Sequence, residues 1–141
     1  MENWSDIVAI SVGESHTVGL KSDGTVVATE CNFHEKGNCK CSVEEWTDIV
    51  AISAGASFTI GLKSDGTVLY AQYNDGKNES YLSVVETWND IVAISAGEHH
   101  LVGLKSDGTV VAAGYRDEYY DGECNVENWE DIVSISAGPN H

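Results

Sequence analysis

One tryptophan-led phrase, repeated four times, governs what this chain can become. Trp4, Trp46, Trp88 and Trp129 recur at spacings of 42, 42 and 41 residues. Each opens nearly the same run: SDIVAISVG, TDIVAISAG, NDIVAISAG and EDIVSISAG. Three copies continue into a second phrase, HTVGLKSDGTVVA from His16, FTIGLKSDGTVLY from Phe58 and HLVGLKSDGTVVA from His100. The 141 residues therefore read as one domain of repeats 4–45, 46–87 and 88–128 with a partial fourth, 129–141. Units of this length cannot each bury a hydrophobic face alone, so they must stack.

Within a unit the pattern is that of short strands. The run from Ile7 to Ser11 is apolar on both faces, as expected of a strand packed between neighbouring sheets. Thr17 to Lys21 leads into Ser22-Asp23-Gly24, a hairpin turn whose glycine supplies the left-handed conformation. Thr25 to Ala28 returns as a third strand. Lys63-Ser64-Asp65-Gly66 and Lys105-Ser106-Asp107-Gly108 repeat the turn. A divergent stretch of about 15 residues then precedes each new Trp, ending in a short apolar pair. Three or four antiparallel strands per repeat, with helix nearly absent, predict an all-β chain of β-propeller blades.

These phrases resemble the bacterial form of the regulator of chromosome condensation repeat. The resemblance rests on D-I-V-A-I-S-A-G followed by H-T-V-G-L-K-S-D-G-T-V-V-A. Cys41-Ser42-Val43 and Cys124-Asn125-Val126 are similar to that family's G-Q-C-N-V ending. It implies a β-propeller, usually of seven blades, that serves mostly as a protein-binding platform. Some members are exchange factors for small GTPases. The chain departs from the family in having few blades. It also has Thr29-Glu30, Ala71-Gln72 and Ala113-Gly114 where the family has its W-G-x-N-x-x-G-Q core.

Three blades and a partial fourth cannot close a ring. The terminal runs stay apolar, where a solenoid's capping repeats would be polar. Self-assembly is the expectation: two chains supply six full blades and two partial ones, for a ring of six or seven closed by a two-fold axis. Trp4, Ile7, Ile10, Trp129, Ile132, Ile135 and His141 are the expected seam, with the partial repeat crossing to the partner chain.

Charge narrows the function. Twenty-three acidic against seven basic side chains give a formal net charge of −16, which repels nucleic-acid backbones and anionic membranes. The N-terminus has no basic region ahead of an apolar run, and no window is long and apolar enough for a transmembrane helix. Four cysteines without an export signal fit reduced thiols in a cytoplasm. No nucleophile elbow, phosphate loop or paired-carboxylate constellation is present, so the chain reads as a non-enzyme without a cofactor. Ser11, Ser53, Ser95 and Ser136 recur only because the strand recurs.

The divergent stretches hold the candidate sites. In the third, Tyr115, Arg116, Asp117, Glu118, Tyr119 and Tyr120 combine the residue types of binding hot spots with carboxylates that steer a basic partner. That unit nets −6, against −4 and −3 for the first and second. The matching stretches offer Phe33, His34 and Glu35, then Tyr70, Tyr73, Asn74 and Tyr81. Brought together in a ring, these loops would make one composite surface. Cys31, His34, Cys39 and Cys41 could complete a tetrahedral zinc shell, although C-x2-H-x4-C-x-C matches no common zinc module. Reduced, unliganded thiols are the alternative. His16, His100 and His141 share a repeat position with Phe58, which implies a flat, partly buried ring rather than catalysis.

Three readings of function stand. The first is a self-assembling propeller that binds another protein, with a basic surface, through its divergent loops; an inhibitor or decoy, such as a phage antagonist of host defence, is one form of it. The second is a small-ligand- or metal-binding protein that uses the central channel or a subunit interface. The third is a structural fragment of a longer platform.

Overall fold

The computed structural model describes residues 4–14, 16–29, 43, 45–56, 58–72, 80–114, 126 and 128–138. Each full repeat forms a three-stranded antiparallel sheet with its strands in chain order. The first contains β1 (Ile7–Val12), β2 (Thr17–Lys21) and β3 (Val26–Ala28). The second contains β4 (Ile49–Ala54), β5 (Phe58–Lys63) and β6 (Val68–Gln72). The third contains β7 (Ile91–Ala96), β8 (His100–Lys105) and β9 (Val110–Gly114). A 3-10 helix, Ser80–Thr87, follows β6 and touches both β6 and β9. It was not marked by the strand pattern. Its reason is local: Leu82 and Val85, three apart, fall on one face and are fully buried.

Branched side chains make the strands, and Lys-Ser-Asp-Gly makes the hairpins. In the first hairpin the Gly24 amide donates to the Lys21 carbonyl at 3.0 Å, and the Lys21 amide to Thr25 at 2.9 Å. Gly24 has φ +83°, a left-handed residue after a tight turn, which matches the strands' twist. The Asp23 carboxylate accepts from the Thr25 amide and hydroxyl at 2.9 and 2.5 Å, and these bonds hold its pKa below the ordinary value. The other strand pair is irregular. Ile7 pairs with Lys21 but Ala9 with Leu20, so Val8 is the extra residue of a bulge. Val50 and Val92 stand at the same bulge in the other sheets. All three valines are exposed.

The sheets stack face to face, β4 against β1 and β2, and β7 against β4 and β5. Val18, Leu20 and Val26 meet Trp46, Ile49 and Ala54 in one core. Phe58, Ile60, Leu62 and Val68 meet Trp88, Ile91 and Leu101 in the next. On the third sheet, Val102, Leu104, Val110 and Val126 are covered by Ile132, Ile135 and Ala137 of the partial repeat. Trp4, Trp46 and Trp88 each also lie over a glycine of their own sheet: a Cβ on Gly61 would stand 2.7 Å from the Trp46 ring. These are three blades of a partial propeller, with one strand's length of a fourth laid on the last face.

Candidate interaction surfaces

Successive blades are joined by a repeated set of polar links. The Ser11 hydroxyl oxygen accepts from the Ala54 amide at 2.9 Å, Ser53 from Ala96, and Ser95 from Ala137. The carbonyls of Gly24, Gly66 and Gly108 accept from the amides of Ile49, Ile91 and Ile132 at 3.0 Å. The recurring serines thus have a task of their own, contrary to the sequence reading that tied them to the strand alone. Asp6, Asp48, Asp90 and Asp131 all adopt φ between 55° and 59°, a left-handed bend that aspartate tolerates better than most residues. The backbone of Asp48, Asp90 and Asp131 lies under the glycine turn of the blade before: a Cβ on Gly66 would come within 3.2 Å of Asp90.

The shared ring position is buried in every blade, with His16, Phe58 and His100 at 5%, 0% and 2% exposure. His16 Nε2 and Thr59 Oγ1 share a hydrogen bond of 2.7 Å across the first joint. Burial lowers the His16 pKa below its ordinary 6.5. The residue is therefore a neutral joint-filler at neutral pH rather than a general base facing solvent.

Beside these rings the first strands of the three full repeats and the matching segment of the partial one end in one groove of about 390 Å³. It is lined by Val12-Gly13-Glu14, Ala54-Gly55-Ala56, Ala96-Gly97-Glu98 and Ala137-Gly138. The glycines are required by close approach, since a Cβ on Gly13 would stand 2.4 Å from the Gly55 carbonyl oxygen. Among the described lining residues only Glu14 and Glu98 bring charge, and His99 lies 3.4 Å from Glu98. The groove can attract a cation or a basic side chain.

The stack has two dissimilar ends. On the first blade, Ile10 and Val12 are 66% and 69% exposed, whereas Ala54, the counterpart of Val12, is 8% exposed. Trp4 and Ile7 are half-buried, against 8% for Trp46 and 3% for Ile49. At the other end Ile132 and Ile135 pack on the third blade of their own chain, and Trp129 is 49% exposed.

The loop candidates fare differently. Tyr70 stands on β6, half-buried against the second core, and Tyr81 belongs to the 3-10 helix. Phe33, His34, Glu35, Tyr73, Asn74, Tyr115, Arg116, Asp117, Glu118, Tyr119, Tyr120 and His141 lie outside the described residues. So do Cys31, Cys39 and Cys41. Among the described residues no cluster of three or more His, Cys, Asp or Glu side chains could hold a metal. No helix among them is long and apolar enough to cross a membrane.

Residues 7–29 match the family model described as the regulator of chromosome condensation (RCC1) repeat. The matched phrase returns nearly unchanged at 49–71 and 91–113 and folds to the same sheet each time. Residues 7–29 thus match one RCC1 repeat. Among solved structures the RCC1-like fold recurs in the CRINKLY WD40 ectodomain of the Arabidopsis thaliana receptor kinase ACR4, at 18% identity and TM-score 0.61. That match covers 94% of this chain and 42% of the other. The structure of Kap60 bound to yeast RCC1 (Prp20) matches at 18% identity and TM-score 0.61, covering 97% and 41%. Prp20p of Saccharomyces cerevisiae, whose structure was described with its binding to Gsp1p and histones, matches at 16% identity and TM-score 0.58, covering 95% and 42%. The chain thus spans about two fifths of the length of these structures. No curated protein matches its sequence significantly.

Proposed function

We propose that this chain is a non-enzymatic, self-assembling propeller that captures another protein through its divergent loops. The RCC1-like propeller fold commonly mediates protein binding, and the yeast relative is bound to a protein in one of its structures. The observation that carries the reading is the contrast within each repeat. Blade-joining residues return almost unchanged, whereas 30–42, 73–79 and 115–125 share little with one another. Stacking constrains the first set, and only an outside partner gives the second a reason to carry Tyr, Phe, His and Arg. The net charge of −16 favours a partner with a basic face, reached quickly by electrostatic steering. Covering that partner's basic surface would make the chain an inhibitor or decoy.

The test is affinity capture with the wild-type chain and a Tyr119→Ala/Tyr120→Ala variant. A partner retained by the wild type and lost from the variant, at equal thermal stability, supports the reading. Equal retention by both removes the third loop from the site. Light scattering over a concentration series tests assembly: a mass near twice 15.2 kDa is expected.

A further inference from the structure

We infer that the partial repeat is an exchangeable strand: β1 of a second copy replaces residues 132–138 on the third blade, and this exchange forms the seam of the assembly. The inference rests on the self-assembly proposed above and specifies how it is made. Residues 6–13, DIVAISVG, and 131–138, DIVSISAG, differ at only two positions. Both begin with a left-handed aspartate, Asp6 at φ 58° and Asp131 at φ 55°.

The segment 132–138 occupies the third blade through the links that every blade uses for its successor. The Ala137 amide donates to Ser95 Oγ at 2.9 Å, and the Ile132 amide to the Gly108 carbonyl at 3.0 Å. A second copy's β1 has the same backbone donors in the same register, at Val12 and Ile7. Exchange therefore conserves the hydrogen bonds.

What it changes is burial. Among the described residues the segment pairs with no second strand, and Val133 is 91% exposed. In contrast β1 carries a whole sheet behind it, and the side it would present to the third blade is open, with Ile10 at 66% exposure and Val12 at 69%. Seating that side on Val102, Leu104 and Val110 extends the existing joint by one blade and removes apolar surface from water that the segment cannot cover. Two such contacts, related by a two-fold axis, join six blades. Residues 132–138 thus act as a competing cap: they shield the third blade in the single chain and yield to the partner's β1 as concentration rises.

The experiment is light scattering over a concentration series on the 141-residue chain and three variants. Ile135→Asp, in a segment outside any strand, loosens the cap and should tighten association at least tenfold. Ile10→Asp, on an exposed face that the single chain does not need, should leave a monomer. Ser95→Ala removes a bond common to both states and should leave the association constant unchanged. Association weakened or unaltered by Ile135→Asp overturns the exchange while leaving wild-type assembly to other contacts. A monomeric wild type beside an associating Ile135→Asp variant supports the exchange and overturns assembly of the unaltered chain. If neither associates, both are overturned.

Discussion

The Ser53 hydroxyl accepts a hydrogen bond from the Ala96 amide of the next blade at 2.9 Å. Removing it leaves a partly buried amide without its acceptor, which costs about 1 kcal/mol. We expect Ser53→Ala to lower stability by about that amount in chemical denaturation, with no change in the far-ultraviolet spectrum. His16 makes a second prediction. Burial lowers its folded pKa, so as pH falls below 6.5 the unfolded chain takes up a proton before the folded one does. Stability from the neutral ring is complete above pH 6.5 and is lost as pH falls toward the folded value. Replacing it by the ring that the second blade already uses, His16→Phe, should flatten the pH dependence of the unfolding midpoint in that window. If the wild type and the variant show the same slope, His16 is not the titrating group. That a flat buried ring is needed here was legible from Phe58 at the same repeat position. The serine's role was not, because a hydroxyl that caps a neighbouring blade and one that faces water look alike in a single strand's pattern.

At the scale of elements, two phrases that look independent in the sequence are halves of one joint. The Lys-Ser-Asp-Gly turn of one blade lies on the bend at the aspartate of the next, Gly66 on Asp90. The turn and the strands were readable from residue type, because glycine after Ser-Asp is a hairpin signal and Val-Ile-Thr runs favour strands. Their docking was not, since more than half a repeat separates them along the chain and local pattern carries no distance. Gly66→Ala tests the joint. Its φ of +86° costs an L-residue roughly 1–2 kcal/mol, and the new Cβ would press on the Asp90 backbone at 3.2 Å. We expect a loss of at least that size in denaturant unfolding. A loss under about 0.5 kcal/mol, within the usual range for surface substitutions, would mean that the turn relaxes away from the next blade. The 3-10 helix shows the other limit of sequence reading. Its Leu82 and Val85 were visible only as apolar residues before a tryptophan, while their fit between β6 and β9 belongs to the stack.

Across the whole molecule, the repeat makes the architecture legible and hides the function. Residues that recur must serve what recurs, which is stacking, and the family model matches one copy of them, at 7–29. Under the proposed function partner recognition falls to residues that do not recur, and these have no second copy in the chain against which to be read. Tyr115 and Arg116 carry a chemical preference but no geometry. Charge is the exception, because it acts at a distance and can be counted. Two copies of a chain with net charge −16 repel as they approach, while the seam proposed between them is apolar, with Ile10 and Val12 exposed in the single chain. The Debye length falls from about 30 Å at 0.01 M salt to about 8 Å at 0.15 M, so screening removes the long-range repulsion and leaves the burial term in place. Association should therefore tighten as salt is raised, measured as a falling dissociation constant in sedimentation equilibrium. Capture of a basic partner should respond in the opposite sense, because its attraction is screened by the same ions. If self-association weakens with added salt, the contact is made by charge pairs rather than by the faces of Ile10 and Val12, and the stacked-blade seam is wrong.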